Sequence, residues 1–118
     1  MAVKRVNQAD VQPITVEQGA EGVRIQWLLD EAIGAPSFSM RRFEIAPGGH
    51  TPLHHHPWEH EVYIISGRGA VVAGDKETPL RPNDAVLVHP DETHQFRAAE
   101  DEALVLLCLV PNGPATCR

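Results

Sequence analysis

Apolar residues in this chain fall in short runs, mostly at every second position, and almost every run ends at proline or glycine. Val23, Ile25 and Trp27 alternate with Arg24 and Gln26, the period of a half-buried strand. In residues 40–46 (MRRFEIA), Phe43 and Ile45 face one way and Arg42 and Glu44 the other, until Pro47-Gly48-Gly49 stops the run. Residues 62–65 form a third run, broken at Ser66-Gly67, and residues 69–73 continue to the turn Gly74-Asp75. Pro82-Asn83-Asp84 leads into residues 85–88, and Pro90-Asp91-Glu92 leads into a strand carrying His94. Residues 103–110 are almost wholly apolar, as a strand covered on both faces would be. No stretch has helical periodicity. The pattern predicts seven or eight short strands, an all-β sandwich or small antiparallel barrel. Residues 1–20 read as an N-terminal arm or edge strand, and residues 111–118 as a poorly ordered tail.

Histidine changes the picture. Seven of the 118 residues are histidine, four of them within residues 54–60. His54 and His56 stand two apart, the spacing that puts side chains on one face of a strand. His60 follows at an even offset after the Pro57-Trp58 bend. A fourth ligand must come from a distant segment, and His94 suits it because Phe96 shares its parity and reads as inward-facing. Imidazole is the commonest nitrogen donor for transition metals, so these four predict a mononuclear site. His50, His55 and His89 read as turn or surface residues.

Size and charge exclude other classes. At this length the chain is one domain, read as residues 1–118. Its net charge of −6, with no basic run, argues against nucleic acid. No apolar stretch is long enough to span a bilayer, and the N-terminal residues lack the apolar core of a signal peptide, so a cytoplasmic location is expected. Cys108, inside an apolar strand, reads as a buried small hydrophobe, and Cys117 lies near the end; without CxxC spacing both are expected to be reduced thiols.

The chain resembles the cupin superfamily, in particular its small single-domain members. The first cupin motif is a glycine, five residues, HxH, three or four residues, Glu, six residues and glycine; Gly48, His54, His56 and Gly67 fit it. In the second motif Asp84, Pro90 and His94 hold their places, while Asn83, Glu92 and Ala98 depart from the family's Gly, Gly and Asn. The motif's Glu can be placed at Glu61 by the four-residue spacing. Counting back six residues from Gly67 puts His60 there instead, with Glu61 facing away. The resemblance covers about residues 38–110. It implies a jelly-roll barrel (a double-stranded β-helix) of the four-histidine variety, holding one divalent transition metal. Manganese or iron is favoured by the resemblance, with zinc, nickel or copper possible by donor type.

Four neutral ligands leave a divalent site at +2, a stronger Lewis acid than a site with one carboxylate. They also leave two neighbouring positions of a six-coordinate ion open. The first expectation is therefore an oxygenase or related oxidoreductase on a small organic substrate. The alternatives are a metal-dependent isomerase, cyclase or lyase, and a non-catalytic small-molecule binder. Phe43, Ile45, Trp58 and Phe96 are candidate pocket residues, although barrel interiors are commonly filled by side chains. Trp58 reads either as a shield at the site mouth or as packing on a neighbouring subunit. Arg41, Arg42 and Arg97 are candidates for a substrate carboxylate, with a solvated strand face as the commoner explanation. No nucleophile or acid–base pair is assignable. A homodimer is expected, through an exposed apolar face carrying Trp27, Tyr63 and Ile65.

Overall fold

A computed structural model describes residues 3–116, and its regular elements are nine strands and three single turns of 3-10 helix. The strands are β1 (Ile14–Val16), β2 (Glu21–Leu29), β3 (Phe38–His50), β4 (His60–Gly67), β5 (Gly69–Ala73), β6 (Lys76–Leu80), β7 (Ala85–Val88), β8 (His94–Ala98) and β9 (Leu104–Pro111). All pair antiparallel in one curled sheet of order β6-β5-β8-β3-β9-β4-β7, with β2 and then β1 added beside β3. The all-β barrel expected from the pattern is the fold observed. Among the described residues no helix is long and apolar enough to cross a membrane.

β3 organises the sheet. Along residues 38–45 it pairs with β9, along residues 40–45 and 50 with β2, and at His50 it meets β8. The Pro47-Gly48-Gly49 signal does not stop it. The extra residues form a bulge, seen as a register shift between Glu21↔His50 and Val23↔Ile45, with Gly48 at φ +75°. The bulge bends β3 so that one strand serves both halves of the barrel.

Alternation decides the core. Ile45, Ile64, Leu104, Leu106, Val23 and Val110 are fully buried, while Tyr63, Ile65 and Leu87 face out. Three elements depart from the sequence pattern. β6 carries no apolar period because Lys76, Glu77, Thr78 and Pro79 are all exposed at the sheet edge, a place where proline costs no ladder bond. The tail is ordered as far as it is described: Thr116 is buried and its hydroxyl donates to Glu31 at 2.6 Å. Cys117 lies outside the described residues. Trp27 is not on the outward apolar face with Tyr63 and Ile65, because its partner in register is the inward Arg41, whose guanidinium lies 5.4 Å from its ring.

Candidate metal centre

The histidines reach one place by two routes. A loop from Thr51 runs back along β8, with Thr51 N–H donating to the Phe96 carbonyl at 2.9 Å. It ends in a bridge in which His54 and His94 exchange backbone hydrogen bonds of 3.2 and 3.0 Å. Asp91 N–H then donates to the His56 carbonyl at 2.7 Å. This seats His54 and His56 over the N-terminal end of β8, where His94 is buried. His60 opens β4 and points to the same interior.

Three of the rings, His54, His56 and His94, bring one nitrogen each to within 4.8 Å of the others. His60 stands outside that triple, yet its Nε2 lies 2.9 Å from Nε2 of His56, and its ring centroid 5.3 Å from that of His94. Imidazole nitrogens grouped in this way could hold a divalent transition ion. Nitrogens bound at about 2.1 Å and at right angles stand about 3 Å apart, which the His56–His60 pair matches. His94 Nδ1 donates to the Glu92 carbonyl at 2.8 Å, which fixes the tautomer and leaves the Nε2 lone pair free, the usual second contact of a ligating histidine.

Burial favours the neutral form of His54, His56 and His60. His60 falls to about 2, through desolvation first and then the Arg41 charge. His54 falls to about 4, through desolvation and then repulsion from His56 and His94. His56 also falls, again chiefly by desolvation. Neutral imidazole is the form that binds metal. The sign for stability follows, since the unfolded chain recovers a pKa of about 6.5 and binds more protons below it. Metal-free protein should lose stability as pH falls below about 6.5, with His54 contributing down to about 4 and His60 down to about 2. Thermal melts of chelator-treated protein from pH 7 to 4 should show this decline, and a flat profile would contradict it.

The other candidate residues scatter. Phe43 and Phe96 line a cavity of about 180 Å³ together with His54, His60 and His94. Ile45 is fully buried in the core and does not reach that cavity. Trp58 stacks on His56, centroids 4.5 Å apart and planes 9° from parallel, and so covers the ring from outside. Glu61 is exposed and lines a surface groove with Glu59 and Phe38, so it faces away from the histidines as the count from Gly67 implied. Glu44 pairs with Arg24 and Arg42 on the outer face. His50 bonds near Thr51 and Gln95, His55 is exposed, and His89 sits by Glu92 in a surface turn.

Sequence reasoning misplaced one residue and undervalued another. Arg41 is not on a solvated face. Its Nη2 lies 3.0 Å from Cys108 Sγ and 3.4 Å from His60 Nδ1, and its guanidinium lies 5.1 Å from the Phe43 ring. Its Nε–H is sealed from solvent without a partner, a cost of about 1–3 kcal/mol. The signal was present, since Arg41 shares the parity of Phe43 and Ile45. Cys108 is buried as expected, but its sulfur is also 3.2 Å from His60 Nδ1, and desolvation raises its pKa.

Sequence comparison agrees with this architecture, for the family model described as "Cupin domain" matches residues 41–110. The chain is a cupin. It is 30% identical over 112 residues to "Polyketide synthase CurC" of Streptomyces cyaneus, covering 93% of this chain and 73% of that protein. It is 44% identical over 71 residues to a 1-methylthio-D-xylulose 5-phosphate methylsulfurylase of Rhodospirillum rubrum, covering 60% of this cupin but only 46% of that enzyme. The cupin thus spans about half the length of that relative. The crystal structure of the polyketide cyclase RemF from Streptomyces resistomycificus superposes with a TM-score of 0.89 at 32% identity, over 95% of this cupin and 81% of that chain.

Proposed function

We propose that this cupin is a metal-dependent enzyme that polarises a carbonyl of a small, oxygen-rich organic substrate and so promotes isomerisation, cyclisation or elimination. The observation that carries the reading is the set of inward imidazole nitrogens opening onto an apolar cavity. A divalent ion held there supplies Lewis acidity toward substrate oxygen. His54, His56 and His94 are its ligands in this proposal, with His60 completing a four-histidine set. Phe43, Phe96 and Leu106 give the cavity apolar walls, which strengthen any electrostatic contact made against them. Trp58 fixes the His56 ring by stacking on it.

The relatives weigh on the choice of reaction. RemF is named a polyketide cyclase and CurC a polyketide synthase, and neither name describes an oxidation. Their likeness supports isomerase or cyclase chemistry over the oxygenase expected first, which has no comparable support.

A redox-inert ion separates the two. With zinc loaded, we expect hydrogen–deuterium exchange beside the carbonyl in a panel of small 2-oxo acids and 1,3-diketones, followed by NMR, without oxygen uptake. Turnover that needs iron or manganese and consumes oxygen, with no exchange under zinc, would sink this reading.

A further inference from the structure

The geometry points to Arg41 as the residue that selects an anionic substrate, a small carboxylate or enolate held beside the histidine cluster. This rests on the metal-dependent reading above and adds the substrate's charge and the side chain that recognises it.

Among the described residues lining the histidine cavity, Arg41 is the only permanently charged one. The rest of the lining is apolar, weakly polar or imidazole. No carboxylate stands within ion-pair distance of Arg41 among the described residues, although the chain as a whole carries a net charge of −6. Its two hydrogen-bond contacts are a thiol sulfur and an imidazole nitrogen, both made by Nη2. Sulfur is a weak acceptor, and neither group offsets a positive charge. Among the described residues Nη1 has no hydrogen-bond acceptor.

Aromatic faces hold the guanidinium in place, with Trp27 at 5.4 Å and Phe43 at 5.1 Å. Those contacts orient the fork and leave its charge intact. A divalent ion with neutral ligands would add two further positive charges in the same cavity. A neutral substrate leaves that field uncompensated, whereas an anion compensates it and gains a charge-assisted hydrogen bond from the guanidinium. At about 180 Å³ the cavity admits a small molecule or the reacting end of a longer one.

The test uses zinc-loaded protein and two probes of nearly the same shape, pyruvate and its uncharged amide, titrated calorimetrically. Wild type should prefer pyruvate by at least roughly tenfold, Arg41→Met should cut that preference several-fold to what the ion alone supplies, and Arg41→Lys should restore part of it. Arg41→Gln serves if the methionine variant does not fold. Zinc content and melting temperature are measured on every variant, so a merely structural role appears as lost metal or a lowered melting point with probe preference retained. Equal binding of the probes by wild type, no binding of either, or a preference undiminished by removal of the guanidinium would overturn the inference. If wild type retains no zinc, the metal reading fails. An Arg41-dependent preference for pyruvate in that metal-free protein would still uphold the anion site, and its absence would overturn it.

Discussion

Replacing His94 by alanine should lower affinity for a divalent transition metal by more than about a hundredfold. Removing a group that merely orients a ligand typically costs 10–100-fold in metal affinity, and in the proposed centre His94 is itself a ligand, its ring oriented by the Glu92 carbonyl. It is also shared by both halves of the site, because its backbone forms the bridge that seats His54. His60→Ala, set beside Glu61→Ala, then decides the ligand number. In a four-histidine centre His60→Ala should lose metal to nearly the same extent as His94→Ala, with Glu61→Ala unchanged. A loss of only about 10–100-fold for His60→Ala, short of that for His94→Ala, would place His60 outside the ligand set, as an orienting neighbour of His56. Elemental analysis and competition with a chelator measure all three, with circular dichroism to confirm the fold. Normal loading of His94→Ala would remove the proposed centre.

Local alternation made the barrel legible, and long-range pairing hid part of its interior. The period of two along Val62, Tyr63, Ile64 and Ile65 sorts inward from outward residues without knowledge of any partner strand, and the structure places them that way. The same rule applied along β3 would have turned Arg41 inward with Phe43, two residues on. What set it aside was the expectation that an arginine belongs in water, a preference that two aromatic faces override. Cys108 was beyond such reasoning. Its contact with His60 depends on the register that sets Val62 opposite Cys108, 46 positions along the chain, and nothing local specifies that register.

The histidines divide along the same line. Spacing brought His54, His56 and His94 together on paper, and the chain folds them together. It could not say how closely His60 joins them, because the Pro57-Trp58 bend sets that distance and its geometry has no period to read. β6 was invisible for a different reason: an edge strand exposed along most of its length needs no apolar face.

Gly67→Ala should destabilise the protein by about 3–5 kcal/mol, among the largest effects available to a single methyl group here. Two independent requirements meet at this position. Its φ of +86° is one that residues with a Cβ rarely adopt, at a cost of about 1–2 kcal/mol. A Cβ there would also stand 1.7 Å from the Ala103 carbonyl oxygen and 2.8 Å from its carbon. Those atoms are backbone leading into β9, and Gly67 pairs with Leu104 in the ladder, so relief requires moving the strand that carries Leu104, Leu106 and Cys108. Gly74 isolates the first requirement, having φ +62° and nothing within 4 Å of a built Cβ. Gly74→Ala should therefore cost only about 1–2 kcal/mol. Urea unfolding of both variants compares them, read as a shift in midpoint at unchanged slope. Equal losses would mean that the close approach of β4 to β9 at Gly67 is relaxed in solution, and that the glycine there serves dihedral freedom alone.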